Sequence, residues 1–262
     1  MKIWLNGALL DAAEARIDPA DRGLLLGDGV FETVCIGRGR PLHLARHLAR
    51  LRAGAATLGF AVPAEDVEIE AAALAVCGAF EAGALRITLS RGPARRGVLP
   101  PNSPSPTLLI TGAAFVAPAS PARAIVATVT RRNEHSPLAR IKSLNYLDSV
   151  LARQEAEAAG AEEAILLNTA GRIAEASAGN LFVCLSGQWV TPPIEDGALP
   201  GIARALILEA RLASALPLWP DDLSSVSSAF VSSSLGLRPL SQLGPQPLTT
   251  CSLFQFTAAV EA

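Results

Sequence analysis

The chain has 262 residues, 50% of them hydrophobic, which is enough for one large domain or two modest ones with packed cores. Its 22 basic and 24 acidic residues give a net charge of −2, with arginines scattered among acids, which argues against nucleic acid or an anionic membrane as a partner. The polar turn Asn6-Gly7 comes too early for a signal peptide, and no apolar stretch is long enough to span a bilayer. A cytoplasmic globular protein is expected.

The first half of the chain predicts alternating strands and helices. Asn6-Gly7 supplies the positive φ angles of a two-residue hairpin turn between short apolar strands. Gly27-Asp28-Gly29 interrupts the next apolar run, and leucines at three- and four-residue steps after it mark one face of a helix. The predicted elements are strands at 3–5, 8–10, 30–36, 85–90 and 107–111, and helices at 44–58 and 64–80.

A stretch of small residues and prolines at 116–122 predicts a connector between two domains. The elements predicted after it are strands at 124–130, 164–168, 180–185, 188–191 and 229–232, and helices at 142–160 and 201–210. Strands and helices are mixed in both halves, so the sequence predicts an α/β fold of the α+β type with domains at 1–115 and 123–262.

Several common types of site are not indicated. The chain has no Gly-x-Gly-x-x-Gly motif and no Walker loop, and its histidines lack metal spacing, so no metal site is expected. The cysteines lie far apart and are expected to be reduced structural thiols; they are Cys35, Cys77, Cys184 and Cys251. The run Ser232-Ser233-Ser234 lacks a Gly-x-Ser-x-Gly elbow, so we interpret it as an anion site rather than a nucleophile.

Lys142 is the strongest candidate for covalent chemistry. The only other lysine is Lys2, and lysine, unlike arginine, can lose its proton when desolvated and attack a carbonyl. Taken singly, Lys142 is most simply a solvated surface residue, Arg50 a solvated helix residue and Glu175 a loop carboxylate. Together with a helix start at Pro200-Gly201-Ile202, they supply an amine, phosphate donors and an anion for a pyridinium nitrogen, which are the groups that pyridoxal 5′-phosphate (PLP) requires.

Six segments of the chain resemble the class IV aminotransferases, the fold-type-IV group of PLP enzymes. They are 27–33, 47–51, 141–147, 162–167, 173–182 and 199–204. The resemblance implies two mixed α/β domains with the cofactor in the interdomain cleft. Residues 1–115 would form the smaller, substrate-side domain with the phosphate-binding arginine, and residues 123–262 the larger PLP-binding domain. A homodimer is also implied.

The resemblance assigns roles to matching residues. It implies that Lys142 forms the internal aldimine with PLP and moves a proton between the substrate and the cofactor, while Glu175 keeps the pyridine nitrogen protonated. Arg50 would bind the phosphate. The other implied cofactor-binding residues are Ser177, Asn180, Ser234, and Ile202 and Ala203 through their backbone N–H groups.

The residues at the expected substrate site are compatible with two reactions. Phe31, Arg96 and Val98 stand where D-amino-acid transaminases typically have a tyrosine, an arginine and a histidine that bind substrate, whereas the loop 90–97 resembles that of 4-amino-4-deoxychorismate lyase. We predict an amino-acid transaminase acting on an amino donor and a 2-oxo acid, with Arg96, or Arg91 or Arg95 beside it, binding the substrate carboxylate. The alternative is the lyase, which releases pyruvate and 4-aminobenzoate from aminodeoxychorismate. A non-catalytic PLP-binding protein is a remote third.

Overall fold

The computed structural model describes residues 1–118, 120–250 and 252–261. These residues form two compact units, Met1–Val116 with Ile141–Asn145, and Ala117–Arg140 with Tyr146–Ala262. Of the expected connector at 116–122, Ala119 lies outside the described residues. The domain limits stay a prediction, and the segment that carries Lys142 groups with the first unit, not with the second.

A six-stranded antiparallel sheet organises the first unit. Its strands are β1 (Lys2–Leu5), β2 (Ala8–Asp11), β3 (Gly29–Gly37), β4 (Arg40–Pro41), β5 (Ala82–Ser90) and β6 (Thr107–Ala114), in the spatial order β2-β1-β6-β5-β3-β4. Asn6 and Gly7 have φ angles of 46° and 94° in the β1–β2 turn. The predicted hairpin is therefore confirmed, as are the other strands predicted in this half.

Helices α2 (Leu44–Thr57) and α3 (Asp66–Cys77) cover one face of this sheet. The short helix α1 (Arg22–Leu26) lies beside the end of β5, and its leucines are exposed. Leu48 and Leu51 of α2 are buried in one apolar cluster with Val34 of β3 and Ile87 of β5, because the leucine stripe of α2 faces the sheet. Side chains alternate along a strand, so Phe31 points to the face of β3 opposite Val34.

The segment that carries Lys142 is extended. The Phe31 N–H donates to the Lys142 carbonyl at 2.9 Å, and the Leu144 N–H donates to the Gly29 carbonyl at 2.9 Å. These bonds to β3 satisfy backbone groups that a helix would have used. The predicted helix at 142–160 is therefore wrong at its start, since helix α4 (Leu147–Ala158) begins five residues later.

A nine-stranded mixed sheet organises the second unit. Its strands are β7 (Ala122–Val126), β8 (Glu163–Leu167), β9 (Ile173–Ala176), β10 (Asn180–Leu185), β11 (Gln188–Thr191), β12 (Ser214–Ala215), β13 (Val226–Ser233), β14 (Gly236–Leu243) and β15 (Gln246–Pro247). They run in the order β12-β11-β10-β13-β14-β7-β8-β9, with β15 beside β14. Besides α4, the helices are α5 (Ile202–Glu209) and α6 (Phe254–Glu261), with 3₁₀ turns at Pro137–Arg140, Ile194–Asp196 and Pro220–Ser225.

An aromatic cluster attaches α5 and α6 to this sheet. Phe182 and Phe230 stack with ring centroids 4.8 Å apart, and Phe256 of α6 lies 4.8 Å from Phe230. Ile207 of α5 is buried in the same cluster. Aromatic burial of this kind contributes strongly to a core, so the end of the chain is integral to the second unit.

Two further expectations were that the cysteines are reduced and that no segment spans a membrane. Cys77 and Cys184 form no disulfide among the described residues, and burial raises the pKa of Cys77 to about 11. Cys251 lies outside the described residues. In the described ranges, no helix is long and apolar enough to cross a membrane.

Candidate active site

Lys142 lies against the ring of Phe31 in the first unit. Its Nζ is 4.5 Å from the ring centroid, a cation–π distance. The Arg86 guanidinium carbon is 3.8 Å from the same centroid, and the Arg86 Nε donates to the Thr88 hydroxyl at 3.2 Å. Phe31 is itself 5% exposed, while Lys142 is half-buried and Arg86 exposed. One aromatic ring therefore carries two cations, the second of which was not predicted as a site residue.

Arg50 is held by a buried carboxylate on the other face of β3. Its Nε and one terminal nitrogen bind the two oxygens of Glu32 at 2.8 and 2.6 Å. His47, one helical turn earlier in α2, has its Nδ1 2.7 Å from Glu32 Oε2. Burial raises the pKa of Glu32, but the hydrogen bonds and charges of Arg50 and His47 outweigh it and hold that pKa below its ordinary value. Arg50 is thus oriented by an ionised carboxylate.

Arg96 and Val98 line a small cavity of about 250 Å³ beside α1. Leu25 and Leu26 also line it, whereas Phe31 is not part of its described lining. Arg95 and Arg96 are exposed, and the side chain of Val98 is 85% exposed. Of the three predicted substrate residues, the structure brings Arg96 and Val98 together and places Phe31 beside Lys142.

Arg91, the other arginine considered for the substrate carboxylate, is part of a buried ion cluster. Its Nε binds Asp28 at 2.8 Å, and one terminal nitrogen donates to the Leu58 carbonyl at 2.6 Å. Its side chain is 6% exposed and lies over the ring of Phe60. A guanidinium committed in this way supports the fold, so Arg91 is removed from the carboxylate candidates.

Glu175, in the second unit, forms an ion pair at one carboxylate oxygen and accepts a hydrogen bond at the other. Arg132 Nε lies 3.0 Å from Oε1, and the Leu199 N–H donates to Oε2 at 2.9 Å. Arg132 also donates to the Gly197 and Ala139 carbonyls at 3.2 and 3.0 Å. These two contacts fix the position of the Glu175 side chain on β9.

Asn180 connects Glu175 to the start of α5. Its side-chain amide donates to the carbonyl of Leu199, the residue whose N–H binds Glu175, at 2.9 Å. A Cβ on Gly201 would collide with the Asn180 side-chain oxygen, so glycine lets the two approach. No side chain caps α5 at Gly201, which leaves the N–H groups of its first turn, at Ile202 and Ala203, as a potential anion seat.

The predicted serines have different surroundings. The Ser177 hydroxyl donates to Glu163, a buried carboxylate that also accepts from Arg153 at 3.2 Å. Ser234 lies half-buried in the β13–β14 turn. Ser232 is buried, and its hydroxyl has no hydrogen-bond partner among the described residues. With its hydrogen donated to Glu163, Ser177 can contact a cofactor only through its lone pairs.

Most of the chain matches one known protein family. The model of the family described as amino-transferase class IV matches residues 29–243. The chain belongs to this family. It is 30% identical to D-alanine aminotransferase of Bacillus licheniformis over 80% of this chain and 74% of that protein.

Two solved structures resemble this class IV aminotransferase over nearly its whole length. Branched-chain aminotransferase from Thermoproteus uzoniensis, solved with norvaline, superposes with a TM-score of 0.90 at 25% identity, covering 99% of this chain and 93% of that one. 4-Amino-4-deoxychorismate lyase from Pseudomonas aeruginosa has a TM-score of 0.83 at 30% identity, covering 98% and 96%. The predicted family, its mixed α/β fold and an enzyme of the transaminase type are confirmed.

Sequence reasoning missed the residues that hold the site together. Side chains two residues apart lie on the same face of a strand, so Glu32 shares the buried face of β3 with Val30. The alternation of residues in β3 could therefore have revealed a buried carboxylate that needs partners. His47 and Arg50 are one helical turn apart on α2 and supply its partners. Arg132 and Glu163 had no such local signal, because their partners are brought near by the sheet.

Proposed function

We propose that the chain is a PLP-dependent amino-acid transaminase that binds its cofactor covalently through Lys142. The observation that carries this proposal is the fixed carboxylate of Glu175, held by Arg132 and the Leu199 N–H. A carboxylate suits a protonated pyridine nitrogen, and PLP with that nitrogen protonated would supply an electron-withdrawing ring that stabilises negative charge on the substrate α-carbon. Because both oxygens of Glu175 have donors, the anion keeps one position from which it can face that nitrogen.

The donor set of the chain fits the phosphate of PLP. The α5 N-terminus lacks a side-chain cap, so the N–H groups of its first turn can bind an anion. We assign the phosphate to the N–H groups of Ile202 and Ala203, with the Ser234 hydroxyl and Arg50 as further donors. Ala203 offers only its N–H, since it has no hydroxyl.

The nucleophile and base of the reaction is assigned to Lys142. Its Nζ would hold the cofactor and, as an amine near the substrate α-carbon, would accept the proton of that carbon. Phe31 packs beside this amine and restricts where it lies. The guanidinium of Arg86 lies against the same ring, with its central carbon 3.8 Å from the ring centroid.

Substrate carboxylates are assigned to arginine. Arg86 shares the ring of Phe31 with Lys142, and the exposed guanidinium groups of Arg95 and Arg96 are free to turn to a ligand. Guanidinium binds carboxylates in bidentate fashion, so any of these residues can bind an amino acid or a 2-oxo acid. Phe31 and Val98 would contact the substrate side chain. A homodimer and a cytoplasmic location remain predictions.

Borohydride trapping tests the assignment of Lys142. The purified protein is loaded with PLP, reduced with borohydride and digested, and the mass of the peptide that contains residues 141–153 is measured by mass spectrometry. We expect the cofactor mass on Lys142 and no adduct in Lys142→Ala, together with loss of exchange between amino donors and 2-oxo acids. An adduct on Lys2, or unchanged turnover in Lys142→Ala, would overturn the assignment.

A second candidate is the lyase reaction, favoured by the 30% identity to the Pseudomonas aeruginosa lyase over 98% of this chain. It uses the same lysine to release pyruvate from aminodeoxychorismate. Pyruvate formation without transfer of an amino group would identify it. A PLP-binding protein without activity would show the Lys142 adduct and no turnover with any donor.

A further inference from the structure

Arg22 is a buried arginine whose donors are divided between one carboxylate and one loop. Its Nε binds Asp28 at 2.7 Å, and its two terminal nitrogens donate to the Gly97 and Val98 carbonyls, each at 2.8 Å. The residue is 5% exposed at the start of the short helix α1. Its guanidinium therefore joins α1 to a chain segment 75 residues away.

That segment, residues 93–99, is here called the arginine loop because it carries Arg95 and Arg96. Its beginning is fixed by backbone pairing, with Asp21 opposite Pro93 and the Arg22 N–H donating to Gly92. Its end is different. Val98 and Leu99 are 85% and 88% exposed, so side-chain burial does not hold them. The hydrogen bonds from Arg22 attach this end of the loop to α1.

The geometry requires an arginine. A planar guanidinium can place one edge on a carboxylate and two further N–H groups on successive carbonyls, whereas an ammonium is a point donor without this fork. Burial raises the pKa of Asp28, but its bonds to Arg91 and Arg22 outweigh burial and hold that pKa below its ordinary value. Asp28 thus stays ionised and anchors Arg22 for its two bonds to the loop.

We propose that Arg22 is the positioning residue of the arginine loop, which presents Arg95 and Arg96 to the carboxylate of the substrate. This inference rests on the proposed function, because it takes the loop as the part of the transaminase that meets the carboxylate. Arg22 itself contacts no reacting atom. Its loss should weaken substrate binding and leave PLP binding and the chemical step in place.

Arg91 provides a matched control. Both arginines bind the same oxygen of Asp28, through Nε at 2.7 and 2.8 Å, and both side chains are 6% exposed. They differ in the second contact, since Arg91 donates to Leu58 and Arg22 to the arginine loop. Arg22→Lys and Arg91→Lys therefore remove equivalent bonds to Asp28, but only the first releases the loop.

Two readouts on the PLP-loaded protein test the proposal. The first is the rate of tryptic cleavage after Arg95 and Arg96, which should rise about tenfold or more in Arg22→Lys because two charge-assisted hydrogen bonds are lost. The second is steady-state kinetics with carboxylate donors, in which KM should rise roughly 10- to 100-fold, as expected for a displaced binding group. The kcat and the PLP affinity should stay within about twofold. Arg91→Lys should change neither readout.

A loop-side variant covers the case in which Arg22→Lys does not fold. Gly97 has a φ of +138° and open space where a Cβ would stand. Gly97→Ala therefore strains the backbone and turns its carbonyl away from Arg22 without disturbing the core. It should reproduce the faster cleavage and the higher KM.

Equal effects of Arg22→Lys and Arg91→Lys, or an unchanged cleavage rate in both Arg22→Lys and Gly97→Ala, would overturn the positioning role. Faster cleavage with an unchanged KM would overturn the link to the substrate. Failure of the proposed function looks different, since the wild-type protein would then exchange no amino groups while cleavage still responded to Arg22→Lys.

Discussion

Replacing Glu32 with glutamine is expected to destabilise the first unit strongly. Glu32 is 1% exposed and accepts from His47 and Arg50, whose side chains are 2% and 11% exposed. The change removes the negative charge to which Arg50 and His47 are both bound. Glutamine keeps one oxygen acceptor, but its amide group must face a second donor.

The expected loss of unfolding free energy follows from the burial of Glu32 and its partners. Breaking a buried ion pair by removing one partner costs about 3–5 kcal/mol, and the acceptor that glutamine retains places the expected loss near the lower end, about 3 kcal/mol. For a domain of this size, that loss lowers the thermal midpoint by about 6–12 °C.

Urea unfolding of wild type and Glu32→Gln at several pH values provides the assay. The folded-state pKa of Glu32 lies below its ordinary value of 4.5, so its contribution is complete above that pH and is lost as the pH falls through the lower, folded pKa. The difference between the two proteins should therefore be largest at neutral pH and shrink in acid. A difference at pH 7 below about 1 kcal/mol, the range of surface ion pairs, would refute the reasoning.

Three further predictions concern stability. Glu134→Gln should cost about 1.5–3 kcal/mol of unfolding free energy at pH 7 because hydrogen bonds to a charged group are lost. Burial raises the pKa of Glu134, but backbone and hydroxyl donors, including those of Thr169, lower it to about 2. In urea titrations, the difference in stability between wild type and variant should therefore fade as the pH drops from 4.5 towards 2. Gly92→Ala should cost at least about 2 kcal/mol in the same assay, because φ is +84° and a Cβ would collide with the Ser105 carbonyl; a near-neutral result would contradict the turn geometry. Asp11→Asn should leave the thermal midpoint unchanged within error, since this carboxylate and its partner Lys2 are 52% and 54% exposed; a marked decrease would contradict the screening argument.

Local patterns predicted much of the first unit. The Asn6-Gly7 turn, the α2 stripe and the alternation of β3 are each decided by near neighbours in the sequence, and each is present. Helix α1 was overlooked although its signals are local, since the Asp21 side chain caps the Gly23 N–H and Gly27 ends the helix in the left-handed region.

The missed elements depend on distant contacts. Lys142 and the residues after it look helical in isolation, but their backbone groups bind β3, more than 100 residues earlier in the chain. Strand β14 contains Pro239 and has no clear alternation, and α6 is stabilised by packing of Phe256 against the sheet. These contacts form only when the fold brings separate segments together, so a local pattern cannot reveal them.

The site was predictable in kind but not in its supporting contacts. Lys142 and Glu175 stood out by residue type and by the motifs around them in the sequence. The partners that fix the site, such as Arg132 at Glu175 and Glu32 at Arg50, join residues from different elements. Roles for the predicted site residues stay proposals until variants are measured.

The stoichiometry of a half-reaction tests the central claim most directly. The PLP-loaded protein is mixed with D-alanine or L-leucine in the absence of a 2-oxo acid, and the cofactor and the product are quantified together. A transaminase predicts one 2-oxo acid released for each cofactor converted to pyridoxamine 5′-phosphate, and no conversion in Lys142→Ala. Pyruvate released from aminodeoxychorismate, with the cofactor never converted by any amino donor, would contradict the claim.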